Sequence, residues 1–170
     1  MSLFKVFLTR TVRFVGAASM LAIAFPALGS AETPAPTQAC QALAAAAATT
    51  LGATPSVTAG PVSYPGLAEA SGCNIAFAGT GEVYGTSFQA VAAKLDALMV
   101  GRGWAPDLNA QADGPTGTAA GYRMSGQAVA VSVNYDTAPG VCRADAPVAD
   151  CHPTPVQMTY TITLGLMPTS

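Results

Sequence analysis

The sequence predicts a single α+β domain in which a small antiparallel sheet, of about four to five strands, packs against one or two helices on one face. Residues 129–135 and 158–164 alternate large apolar side chains with small or polar ones, which is the period of a strand. Residues 88–99 repeat apolar side chains at steps of three and four, which is the period of a helix. Such alternation gives a sheet one buried and one solvated face, as antiparallel sheets allow.

The first predicted helix begins after Thr37 and ends near Leu51. Thr37 is a favourable N-cap residue, the alanines of residues 44–48 have high helix propensity, and Gly52 is a favourable left-handed stop. Cys40 lies on the apolar stripe of this helix, so we expect it to face the body of the domain. A disordered alanine-rich linker is the alternative for this segment.

The segment between this helix and the next predicts little regular structure. Residues 53–71 are rich in Pro, Gly and Ser, and they predict at most one short strand, near residues 61–64. Residues 73–78 predict a strand, because Ile75 and Phe77 share a face at a period of two.

The main helix is expected to follow a glycine-rich turn at residues 79–85, whose glycine spacing does not match a phosphate-binding loop. Thr86 and Gln89 predict a capping box at the start of this helix, and Gly101 predicts its end. Asp96 is expected to point away from the apolar stripe of the helix.

Beyond Trp104, which is expected to pack over the helix end, the chain predicts β structure. The Ser-Gly pair at residues 125–126 is typical of a tight hairpin turn. The elements expected here are a turn at residues 113–117 and strands at residues 118–124, 127–135 and 158–164.

Residues 1–31 have the three parts of a secretory signal peptide. Three basic residues precede an apolar run at residues 14–28, and Gly29 and Ala31 have the small-x-small spacing that signal peptidase cleaves. As a helix the run would be about 22 Å long, short of a hydrocarbon core of about 30 Å. We therefore expect no membrane span after cleavage.

Cleavage after Ala31 would leave an extended tether at residues 32–39 and a single domain at residues 40–170. This exported part has four basic and nine acidic residues, a net charge of −5. Four scattered cations cannot build the basic groove that a phosphate backbone requires, and they do not suit an anionic membrane surface. We therefore expect no nucleic-acid partner. We also expect no cofactor. The signal peptide predicts a periplasmic or secreted location in a bacterium.

All four cysteines fall in the exported part, and an even number there predicts disulfides. Cys142 and Cys151 flank a short loop, and this spacing favours a bridge between them, which leaves Cys40 to pair with Cys73. Two other pairings remain open. Metal ligation is the alternative, but no Cys-x-x-Cys pair is present and the single histidine, His152, is adjacent to Cys151, so we expect no metal.

Any relay of the Ser-His-Asp type would have to use His152, the only histidine. The chain has no Gly-x-Ser-x-Gly elbow, and an exposed loop histidine is the simpler interpretation. A pair of loop carboxylates is the other catalytic alternative, although no spacing selects a pair. The acids in or near predicted loops are Asp107, Asp113, Asp136, Asp145 and Asp150. We therefore assign no catalytic residue.

Tyr122, Arg123 and Tyr135 on the predicted hairpin are the candidate binding residues, because Tyr and Arg are enriched at binding hot spots. A core Tyr and an Arg that reaches along the surface are the simpler alternative. The sequence thus predicts an exported, non-enzymatic binding or accessory protein whose partner is a protein or an envelope component. A small exported hydrolase that uses His152 or a loop carboxylate pair, and a structural envelope component, are the alternatives.

Overall fold

The computed structural model describes residues 37–142 and 151–169. These residues form a six-stranded antiparallel sheet with three helices and two disulfides. The predicted α+β class is confirmed, and the sheet is larger than the predicted four to five strands. The predicted signal peptide, and residues 32–36 of the predicted tether, lie outside the described residues.

The chain runs through one helix, a pair of strands, two more helices and four further strands. The bounds are α1 Gln38–Leu51, β1 Ser56–Val62, β2 Ala70–Thr80, α2 Gly81–Tyr84, α3 Phe88–Gly101, β3 Ala105–Gly114, β4 Gly117–Met124, β5 Gln127–Thr137 and β6 Met158–Pro168. A single turn of 3₁₀ helix, Pro155–Gln157, leads into β6.

β6, the last strand in the chain, lies in the middle of the sheet. The spatial order is β1-β2-β6-β5-β4-β3, and all neighbours are antiparallel. Leu164 of β6 pairs with Ile75 of β2 on one side and Val131 of β5 on the other, so these three side chains share one face. The alternation of residues 158–164 of β6 suits this central position, because both neighbouring strands continue the same buried row.

One face of the sheet packs against α1 and α3, and we call it the helix-covered face. Leu95 and Met99 of α3 and Ala47 of α1 are fully buried there, in one apolar cluster with Ile162 and Leu164 of β6. Each large side chain removed from water in this way stabilises the fold by about 2 kcal/mol before entropy is counted. The apolar stripe predicted for the main helix thus faces the buried face predicted for the sheet.

The first helix has the ends that the sequence predicts. The Thr37 hydroxyl accepts a hydrogen bond from the Cys40 N–H at 3.3 Å, and Gly52 has the left-handed φ of 66°. α1 begins at Gln38, directly after Thr37, as predicted. A disulfide joins Cys40 to Cys73, whose Cα atoms are 6.3 Å apart, and it ties α1 to β2.

The opposite face, which we call the outer face, is covered only in part. The connection between β1 and β2, residues 63–69, brings Tyr64 against Gly121 of β4. A small apolar cluster forms here from Val62, Tyr64, Ala110, Ala128 and Met167. Elsewhere the outer face exposes small or polar side chains, among them Ala78, Asn134 and Thr161.

Two predicted boundaries are wrong. The main helix is capped by Ser87 rather than Thr86, because the Ser87 hydroxyl accepts a hydrogen bond from the Ala90 N–H at 3.2 Å. β1 spans Ser56–Val62 rather than residues 61–64, because its whole length pairs with β2.

The sequence predicts no separate strand at the position of the sixth strand, β3. It is an edge strand with a register shift between Asp107 and Gln111, and most of its residues are exposed. Pro106 and Asp113 also disfavour β structure, so neither propensity nor alternation marks this segment as a strand.

Candidate binding site

A cleft with a volume of about 230 Å³ lies on the helix-covered face, where α3 meets the β3–β4 edge of the sheet. α3 forms one wall with Ala92, Ala93 and Asp96, and β3 forms the opposite wall with Gln111 and Asp113. Strands β4 and β5 form the floor. A concave site with an apolar floor and a few polar groups is the usual form of a ligand-binding site.

Small side chains leave this cleft open. Ala120 of β4 pairs with Val131 of β5 on the floor, and Ala92 and Ala93 are small residues on the helix wall. Because an alanine fills less of the space between a helix and a sheet than the leucine or phenylalanine common in cores, a gap remains. The gap is a consequence of composition at these few positions.

Tyr122 anchors the polar part of the cleft. Its ring is 3 % exposed, and its hydroxyl donates a hydrogen bond to Oδ1 of Asp96 at 2.9 Å. Burial, then the hydrogen bond to Asp96 and the charge of Asp96, raise the pKa of Tyr122 above its ordinary value. The phenol is therefore a fixed neutral donor, and it holds the Asp96 carboxylate at the rim of the cleft.

The opposite wall holds a second carboxylate in place. The Thr118 hydroxyl donates to Oδ1 of Asp113 at 2.6 Å, which positions this side chain beside Gln111. No Lys, Arg or His is among the side chains that line the cleft. Two carboxylates therefore line the same small cleft, and no basic side chain among the described residues lines it with them.

The structure separates the three predicted binding residues. Tyr122 lies in the cleft, whereas Arg123, its chain neighbour, projects from the outer face because adjacent strand residues alternate. Tyr135 packs in an aromatic cluster, with its ring centroid 5.8 Å from that of Phe88 and 5.9 Å from that of Tyr160. The three side chains do not share one surface, and their role in binding stays a prediction.

Arg123 belongs to a polar contact that holds the β1–β2 connection, which we call the latch. Its Nε donates to Oδ2 of Asp107 at 2.7 Å, and its guanidinium lies 4.8 Å from the centroid of the Tyr64 ring. The Tyr64 hydroxyl donates to the same Asp107 oxygen at 3.0 Å. The hydrogen bond from Arg123, then those from the Asn109 N–H and from Tyr64, lower the pKa of Asp107.

Both predicted disulfides are present, and the second joins Cys142 to Cys151, with Cα atoms 5.4 Å apart. His152 is exposed and is not among the residues that line the cleft. Of the predicted loop acids, Asp107 belongs to the latch, Asp113 lines the cleft, Asp136 is exposed on β5, and Asp145 and Asp150 lie outside the described residues. Within residues 37–142 and 151–169, no three His, Cys, Asp or Glu side chains form a group suited to a metal ion.

Sequence reasoning missed Asp96 and Gln111 as site residues. Asp96 does point away from the apolar stripe of α3, as predicted, but it lies close enough to the sheet to accept a hydrogen bond from Tyr122. The spacing of an acid 26 residues before a tyrosine carries no local signal, since only the packing of α3 on β4 brings them together. Gln111 follows the register shift in β3, which the sequence does not reveal.

No known protein family, curated protein or solved structure matches this chain. The function is therefore inferred from the residues of the site themselves. Among the described residues, none of the helices has the length and apolar character needed to cross a membrane. The two disulfides indicate an oxidising compartment outside the cytoplasm.

Proposed function

We propose that this chain is an exported, non-enzymatic binding protein whose partner occupies the cleft between α3 and the β3–β4 edge. The observation that carries the proposal is the pairing of a small-residue floor with two carboxylates, Asp96 and Asp113, that neighbouring hydroxyls hold in place. Polar groups fixed before a ligand arrives lose little freedom on binding, which favours affinity.

Export is supported by two independent features. The first 31 residues have the basic, apolar and small-residue segments of a signal peptide. The cysteines are paired in two disulfides, as is usual in the periplasm and outside the cell. A periplasmic or secreted bacterial protein fits both features.

Binding is favoured over the two alternatives by the position and shape of the cleft. A hydrolase that uses His152 would need this side chain in a concave site beside a nucleophile, and His152 does not line the cleft. A structural envelope component requires only self-association, which leaves the cleft unexplained. We therefore propose that the partner is a protein or another envelope component and that it inserts one group into the cleft.

A photoreactive amino acid placed at Ala93 tests this proposal in the bacterium that encodes the protein. Ala93 is exposed on the α3 wall of the cleft, and Ala45 is a matched control because it is an exposed alanine on α1 outside the cleft. We expect a discrete cross-linked product at Ala93, identified by mass spectrometry as one protein or envelope molecule, and no such product at Ala45. Absence of a product at Ala93, or the same products at both positions, would refute the proposal.

A further inference from the structure

We infer that the cleft between α3 and the β3–β4 edge receives a primary ammonium on an aliphatic stem, namely the side chain of a lysine on the partner protein. This inference rests on the proposed function, because it names the group that the partner inserts. It follows from three properties of the cleft: its charge, its floor and the state of its carboxylate oxygens.

The charge of the cleft favours a cation. Asp96 and Asp113 stand on opposite walls, one on α3 and one on β3, and no basic side chain lines the space between them. The exported part of the chain also has an excess of five negative charges. An anionic ligand would meet repulsion from both walls, whereas a cation would be attracted to the cleft and held there.

The floor of the cleft favours an aliphatic stem behind the charge. Ala120, Val131 and Val133 line it with methyl groups, and Val131 and Val133 are buried in the core. A lysine side chain can lay its methylene groups along such a surface while its ammonium reaches polar atoms at the rim. A bare metal ion would use the carboxylates but gain nothing from this floor.

The occupied oxygens favour an ammonium over a guanidinium. Oδ1 of Asp96 accepts a hydrogen bond from Tyr122, and Oδ1 of Asp113 accepts one from Thr118. A paired fork from arginine uses both oxygens of one carboxylate, so here it would have to share Oδ1 with the hydroxyl that already donates to it. An ammonium is a compact charge with three rotatable donors, so it can bind the remaining oxygen of either carboxylate singly.

Nuclear magnetic resonance titration of the isotope-labelled exported protein tests the inference with defined probes. The probe is Nα-acetyl-lysine methylamide, and its Nε-acetylated form is a matched neutral control. We expect saturable shifts of the backbone amides of Ala93, Gln111 and Thr118 with the first probe and none with the second. The arginine analogue should bind more weakly, by about threefold or more, because its paired fork would have to share Oδ1 with the Tyr122 or Thr118 hydroxyl. Equal shifts with the acetylated probe would overturn the inference.

Two variants and one control assign the effect to the cleft. Asp96→Asn removes one charge, and Ala120→Leu fills the floor, so each should weaken lysine binding by about fivefold or more, as expected for one partly exposed ion pair. Asp136→Asn changes an exposed carboxylate outside the cleft and should leave binding unchanged. Weakening by Asp136→Asn equal to that by Asp96→Asn would show a general charge effect and overturn the inference.

Two further results show whether the ammonium belongs to a polypeptide or to a free amine, and whether this inference or the proposed function is wrong. Tighter binding of the lysine probe than of n-butylamine supports a polypeptide source, and equal binding would overturn that assignment in favour of a free amine. If the lysine probe causes no shift while the cross-link at Ala93 persists, this inference fails and the proposed binding function stands. If the cross-link is absent, the proposed function itself fails.

Discussion

The two faces of the sheet use the same strands but different side chains and different coverings. On the helix-covered face, β6 presents Tyr160 and Ile162, both fully buried under the helices. On the outer face the same strand presents Thr159 and Thr161, both exposed. Large apolar residues thus collect on one face, and small or hydroxyl-bearing residues collect on the other.

Because of this difference, one face supplies most of the stability of the fold and the other only holds the β1–β2 connection in place. The helix-covered face removes a large apolar area from water, which is the main favourable term in folding. The outer face has only the small cluster around Tyr64, and the β1–β2 connection is held there by the latch of Tyr64, Asp107 and Arg123. We therefore expect truncation of the buried core of the first face to lower the stability of the whole protein, and changes on the second face to act locally.

The largest effect should come from Ile162→Ala in the centre of the helix-covered face. Ile162 is fully buried between β2 and β5, so its truncation leaves a cavity in the core. We expect a loss of about 4 kcal/mol in the free energy of unfolding. The matched control is Thr161→Ala, one residue earlier on the exposed outer face, which should change it by about 0.5 kcal/mol or less. Denaturant unfolding measures both, and similar losses for the two variants would contradict this contrast between the faces.

Removal of the Cys40–Cys73 disulfide should have the next largest effect. The bridge closes a separation of 33 residues and holds α1 on the helix-covered face. Replacing both cysteines by alanine should lower the free energy of unfolding by about 3 kcal/mol, because the unfolded chain gains freedom. The Cys142–Cys151 bridge closes a separation of only 9 residues, so the equivalent double substitution should cost about 1 kcal/mol less. Thermal unfolding of the two variants would refute this order if the shorter bridge proved the more stabilising.

The helix-covered face was largely predictable from the sequence, and the cleft was not. α1 and the strands β5 and β6 have strong local signals: Thr37 and Gly52 at the helix ends, and the alternation of residues 129–135 and 158–164 in the strands. The buried face predicted for each strand is the face that the helices cover. These signals are local because a period of two or 3.6 residues is fixed by the backbone alone.

The cleft depends on distances that no local pattern encodes. Its gap exists because Ala120 of β4 lies near Ala92 of α3, and the sequence does not show which small residues will oppose one another. The same holds for the latch, where Tyr64 reaches Asp107 over 43 residues of sequence. Edge strand β3, which supplies part of both features, has neither the alternation nor the propensity of a strand.

A smaller effect is expected from Gly121→Ala on the outer face. A methyl group at Gly121 would overlap the Tyr64 ring, whose Cζ would lie 2.8 Å away, and the methyl of Ala110. We expect Tyr64 to be displaced, at a cost of about 2 kcal/mol. Gly60→Ala is the matched control, since its nearest neighbour would be 3.7 Å away, in ordinary contact. Crystal structures and unfolding curves of both variants would show whether Tyr64 moves, and an unmoved Tyr64 with full stability would contradict the close packing.

The smallest effect is a loosening of the latch in acid. Hydrogen bonds from Arg123, the Asn109 N–H and Tyr64 hold the pKa of Asp107 below its ordinary value, so the folded state favours the ionised carboxylate. For a group whose pKa is lowered on folding, the stabilisation is complete above the unfolded pKa, about 4 for aspartate, and disappears as the pH falls through the folded value. The Leu67 N–H donates to the Tyr64 carbonyl oxygen at 3.0 Å, so its hydrogen exchange reports on this connection. Its protection should therefore stay constant from about pH 7 to 5, after correction for the intrinsic rate, and should fall below about pH 4. In Asp107→Asn the protection should already be low at neutral pH and should no longer depend on acid, whereas core amides of β6 should keep theirs in both proteins. Equal acid sensitivity in the wild type and in Asp107→Asn would show that another group, and not Asp107, controls how this connection is held on the outer face.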